Sequence, residues 1–193
     1  MSQHLTDCRA AIVAAIEAAL KTPLKLRTVE AHRGRLTGSE LKRLGTRAPA
    51  VLLGCLGWSA LRDQAGETEA NVTWVATIVT KDAPDEDRGT AAVVIANAVG
   101  GLVMGNTWGL EAQYATGIQA RNLYAGDVDM QGVALWTVSW QQWMTIALDG
   151  EFDPANIAAV AALGDLITVH AEHYDPGGIA AGEDPRAIDE VTQ

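Results

Sequence analysis

His170 and His173 in the stretch HAEH, the run Asp85-Glu86-Asp87, and the cysteines Cys8 and Cys55 are the residues whose chemistry would matter first. Two imidazoles can hold a metal, a carboxylate run can move protons, and a thiolate can act as a nucleophile. Each has a plainer explanation. HAEH ends the extended pattern LITVHAEHY, and on a strand a spacing of three sends the two rings to opposite faces. The helical H-E-x-x-H spacing of a zinc protease is absent from the sequence. The residues from Asp82 to Asp87 read as a helix start, where carboxylates meet free backbone N–H groups and the positive end of the dipole. Cys8 and Cys55 stand in apolar settings and are too few for a disulfide scaffold, so both read as reduced packing residues of a cytoplasmic protein. His4 and His32 are isolated near basic residues. The sequence holds no G-x-S-x-G and no P-loop; Gly100-Gly101 and Gly105 fall late in a helix pattern and are expected to end it. Nothing assembles nucleophile, base and orienting group, so no catalysis, cofactor or metal is expected.

The bulk properties agree with that. With 193 residues and 48% hydrophobic content, the chain can bury a core and is expected to form one domain with a tail. The apolar helix candidate from Thr90 to Met104 is too short to span a bilayer, and MSQHLTDCRA lacks the basic-then-apolar order of a signal peptide. The net charge of −10 hides an asymmetry: up to Arg62 there are ten Lys/Arg against four Asp/Glu, and beyond it four against twenty. A basic face and an acidic face suit a head-to-tail assembly, whereas the large anionic field disfavours a general DNA-coating role. The most basic segment is HRGRLTGSELKRLGTR, with Arg33, Arg35, Lys42, Arg43 and Arg47.

These side chains must be positioned by elements that can be read from periodicity. Leu5, Cys8, Ile12, Ile16 and Leu20 recur at helical spacing, with Ser2 or Thr6 as the expected cap and Pro23 beyond the end. Leu24 to Ala31 alternates and predicts an outer strand; Ser39 to Leu44 predicts a short helix closed by Gly45. The apolar run Ala50 to Leu56 predicts a buried strand, and Leu61 to Ala70 a loop. Asn71 to Thr80 has period two and predicts a strand, followed by a helix burying Ala91, Ile95, Ala98, Val99 and Leu102. Asn106 to Gly117 reads as irregular, Ile118 to Tyr124 as a strand, and Gly126 to Gly132 as a turn. A short helix after Pro154, a last strand over Leu166 to Tyr174, and a flexible or partner-bound tail from 175 to 193 complete the chain, giving a domain over 1–174.

The densest aromatic stretch is GVALWTVSWQQW, which holds three of the six tryptophans. Trp136 and Trp140 share the even positions with Ala134, Val138, Met144 and Ile146, and read as core. Trp143 falls among Thr137, Ser139 and Gln141, where the core does not account for it. The strand is roughly twice the usual five or six residues.

The order of elements resembles the tail terminator family of Mu-like phages and prophages. The residues that carry the resemblance are Ala11 to Ile16, Arg47-Ala48-Pro49-Ala50-Val51-Leu52-Leu53, and above all Asn122-Leu123-Tyr124 followed by Gly132 to Gln142. Leu166 to His170 and Tyr174-Asp175 also match in kind, so the likeness spans nearly the whole chain. It implies an α+β fold: a single mixed, mostly antiparallel sheet with a long β-hairpin, packed by an N-terminal and a central helix, as subunit of a ring. It implies a structural virion protein of the tail, assembled in the host cytoplasm, that caps the tail tube as a hexamer, stops its polymerisation and joins it to the head. The partners implied are further copies, the tube protein, head–tail connector proteins and, only if the tail is contractile, which the sequence leaves open, its sheath, with DNA only passing through. Arg33, Arg35, Lys42, Arg43, Arg47 and Trp143 then become interface candidates. Two other classes fit the same features: another ring-forming connector or tail completion protein, and a ligand-binding module that stacks bases on its tryptophans. The second needs cations among the aromatics, and no Lys or Arg occurs between 122 and 185.

Overall fold

The computed structural model describes residues 4–32, 38–83, 87–123 and 132–147. In chain order its elements are α1 (Leu5–Leu20), β1 (Thr28–Ala31), α2 (Gly38–Gly45), β2 (Ala50–Gln64), β3 (Glu67–Lys81), α3 (Arg88–Val103), β4 (Thr116–Asn122) and β5 (Val133–Thr145). The strands form one mixed sheet in the order β1-β2-β3-β5-β4, in which only β1 and β2 run parallel. The α+β class with a single mixed, mostly antiparallel sheet is therefore what the chain adopts.

Burial explains the pattern of each strand. On one face, Cys8, Ile12 and Ile16 of α1 and Ala92, Ile95, Ala96, Val99 and Val103 of α3 close over Val51, Leu53, Val72, Trp74, Ala76, Ile78, Val138 and Trp140. On the other face, Leu44 of α2 packs with Ala48, Ala50, Leu52, Val79, Val133 and Leu135 in a second, smaller core. The start of β2 is thus covered on both sides, which is why Ala50 to Leu53 reads as a continuous apolar run. Gly45 suits this close packing, since a Cβ on it would lie 3.0 Å from Cγ1 of Val133 and press on the smaller core. Cys8 is buried, Cys55 half-buried, and neither forms a disulfide. Burial pushes both thiols up, so they stay protonated at neutral pH and pack as small apolar groups.

Several expectations are corrected. α1 starts behind His4, which makes no side-chain cap bond, and Thr6 lies inside the helix rather than before it. Only the second half of Leu24–Ala31 is a strand; Leu24 and Lys25 prolong the helix end, bonding Leu20 and Thr22 carbonyls. Leu61 to Ala70 is not a loop. β2 and β3 continue through it as a hairpin that turns at Ala65-Gly66, and the sequence hides this because side chains from Leu56 to Glu67 are exposed and keep no apolar alternation. Gly100 and Gly101 do not end α3: the Met104 N–H still bonds the Gly100 carbonyl at 3.1 Å, and the left-handed residue is Gly105. The acidic helix start is present in part. Asp87 caps α3 by accepting the Thr90 N–H at 2.9 Å, which holds its carboxyl below the usual range, and Asp82 accepts the Arg88 N–H at 3.1 Å. Ala92, Ala96 and Val103 are buried where Ala98 and Leu102 were expected. Asp85, Glu86, most of the turn at 126–132, the helix after Pro154, the strand at 166–174 with its two histidines, and the tail lie outside the described residues.

Candidate assembly surfaces

The tryptophan ribbon of β5 resolves into three environments. Trp140 is 1% exposed, lies opposite Trp74 in the register with β3, and tilts against Trp108 with ring centroids 6.2 Å apart. Trp136 is only half-buried, opposite Asn122 of the edge strand β4, so it closes the rim of the core rather than filling it. The two were expected to be alike; β4 ends beside Trp136 and offers it less cover. Trp143 lies on the opposite face, with the Arg62 guanidinium 4.0 Å over its ring. Arg62 in turn donates from Nε to Glu69 at 2.6 Å.

That stack bears on the base-binding alternative. A cation does stand among the aromatics, but it comes from β2, is held by Glu69, and covers one face of the Trp143 ring. Exposed cation–π pairs contribute about 0.5–1 kcal/mol. A double-mutant cycle on Arg62→Ala and Trp143→Ala, read by urea unfolding, is expected to give a coupling of about that size. Additive losses would show that the stack does not form in solution.

Gln142 was not singled out by sequence reading, and it is the most buried polar side chain of the ribbon, at 0% exposed. Its Oε1 accepts from Nε1 of Trp108 at 2.8 Å and from Nε1 of Trp140 at 3.4 Å. Its Nε2 donates to the carbonyls of Asn106 at 2.9 Å and Gln113 at 2.7 Å. One amide thus ties the irregular segment after α3 to the centre of β5. Trp108 itself stands at φ +62°, held there by its N–H donating to Oδ1 of Asn106 at 2.7 Å. The signal available in the sequence was a glutamine at an even position between Trp140 and Met144, inside an otherwise apolar face.

The basic segment is divided by the fold. Lys42 and Arg43 are exposed on α2. Arg47 forms a two-pronged pair with Glu30 of β1, at 3.0 and 3.2 Å, so its charge is met within the chain rather than offered whole to a neighbour. Arg33 and Arg35 lie outside the described residues. Trp143 and the α2 cations occupy different parts of the same side of the sheet and are not brought together.

The β2–β3 hairpin extends well past β1, which pairs with β2 only from Ala50 to Leu53. Along this arm Leu56, Trp58 and Leu61 are 57%, 44% and 46% exposed. Register shifts between Cys55 and Gly57 and between Ser59 and Arg62 mark two β-bulges, which place extra residues on the outer strand. A shallow groove of about 200 Å³ between Thr73, Gly117, Gln119, Ser139 and Gln141 has no ionisable lining. Among the described residues no His, Cys, Asp or Glu cluster could hold a metal ion, and no helix is long and apolar enough to cross a membrane.

The described residues define an α+β domain organised around aromatic packing and an exposed arm. The chain belongs to the family described as Bacteriophage Mu, Gp37, whose model matches residues 4–145. Membership makes it a member of a Mu-like phage family and points to a structural protein associated with the virion. No curated protein matches the chain.

Proposed function

We propose that the protein is a tail terminator, a non-enzymatic ring subunit that caps the tail tube, stops its polymerisation and forms the joint to the head. The ring is hexameric, contacts the tube protein and the head–tail connector proteins, and lets DNA pass without binding it specifically. Family membership supports a phage structural role, and the observation that carries the assembly reading is the β2–β3 arm. It presents Leu56, Trp58 and Leu61 beyond the end of β1, large apolar side chains left exposed on a strand edge. The division of charge along the chain supports contact between unlike faces.

Loss of the gene product is expected to give tails of uncontrolled length, or tails that take no head, in electron micrographs. The purified protein added back is expected to cap tube ends as a ring. Normal virions without it, or one copy per particle, would overturn the role. Regulated tails that still fail to take heads would favour a connector or completion protein.

A further inference from the structure

The arm and α2 are complementary surfaces at opposite ends of one strand. The arm's tip carries Asp63, Glu67 and Glu69 against the single Arg62, with the turn fixed by the Gly66 N–H donating to Oδ1 of Asp63 at 3.0 Å. At the other end, Leu44 seats α2 against Ala50 and Leu52, and Lys42 and Arg43 face solvent. Of the cations between 33 and 47, Lys42 and Arg43 are the two that the described residues show exposed and Arg47 is paired with Glu30. From Ala50 to Gln64 is fourteen residue steps along β2, on the order of 40 Å even with two bulges. The tip and α2 therefore cannot meet within one copy.

We propose that the acidic tip of the β2–β3 arm docks on α2 of a second copy, beside its Lys42 and Arg43, and that the contact covers Leu56, Trp58 and Leu61. Exposed ion pairs contribute little individually, so the charges select the partner surface and its register while the apolar shaft supplies the buried area. The two surfaces differ, so each copy gives an arm and receives one. Such a heterologous contact closes a ring when its rotation divides a full turn. This inference rests on the ring reading above and names the contact that holds the ring.

The test uses two full-length variants, Lys42→Glu/Arg43→Glu and Gln64→Lys/Glu67→Lys, the second leaving the Asp63 turn bond in place, with mass photometry at physiological salt, alone and on tail tubes. All four positions are exposed, so melting temperatures should stay near that of the parent. Each variant alone sets like charges against each other and is expected to weaken self-association about tenfold or more. Mixed in equal amounts they are expected to restore it, because arm and α2 then match at every junction of an alternating ring of even number. Variants that assemble like the parent, or a mixture no better than its components, would overturn the docking while leaving the ring standing. A parent protein that stays monomeric both alone and on tubes would overturn the ring and this contact together.

Discussion

Trp140→Ala is expected to destabilise the fold by about 3–5 kcal/mol, more than any other substitution in the ribbon. The side chain fills the centre of the main core, tilted against Trp108 and facing Trp74 across the strands, and its removal leaves a cavity that the surrounding elements would have to collapse to fill. A domain with about 5–15 kcal/mol of stability would often lose solubility at that point. Trp140→Phe keeps most of the volume and serves as the measurable companion. In urea unfolding the losses should fall in the order Trp140, Trp136, Trp143, since the second is a rim residue and the third lies under Arg62 on the other face. Equal losses at all three would mean that both faces of β5 are core along its whole length.

Gln142→Leu is expected to lose on the order of 3 kcal/mol although it replaces a polar core residue with an apolar one of similar size. The reason is asymmetry. The leucine fits, but the indole N–H of Trp108 loses its acceptor inside the core, and the part-buried carbonyls of Asn106 and Gln113 lose the amide that ties them to β5. The loss should be local. Hydrogen exchange is expected to rise between residues 104 and 115 well before it rises in β3, because the amide is what fastens that irregular segment. A Gln142→Leu protein as stable as the parent, with unchanged exchange there, would show that the segment is held by packing alone.

The main helices and central strands were legible because burial imposes period. Ile12, Ile16, Ile95 and Val99 recur at helical spacing, and Asn71 to Thr80 alternates, since each faces a core on one side. The arm was read as a loop for the same physical reason. Its backbone pairs as well as that of any strand, but no core demands alternation from side chains facing water, and two bulges shift what period remains. Trp136 was misjudged because sequence gives the face of a strand and not how far the neighbouring strand extends. The partner of Arg47 was hidden in another way: Glu30 is seventeen residues away and meets it only because β1 lies parallel beside β2. The Arg62–Trp143 stack likewise depends on three adjacent strands, β2, β3 and β5, whose order no local pattern records.

The two bulges have a consequence for the single chain. A long outer strand with leucines and a tryptophan is a template on which stray chains can add and grow into aggregates. Between the irregularities only Gly57, Trp58 and Ser59 keep an unbroken register, too short a run of regularly spaced N–H and C=O groups to recruit a foreign strand. Ala60 holds one of the interruptions in place at φ +54°, a conformation that disfavours an alanine by about 1–2 kcal/mol. The fold accepts that local strain and gains an exposed apolar strand closed to indiscriminate backbone pairing.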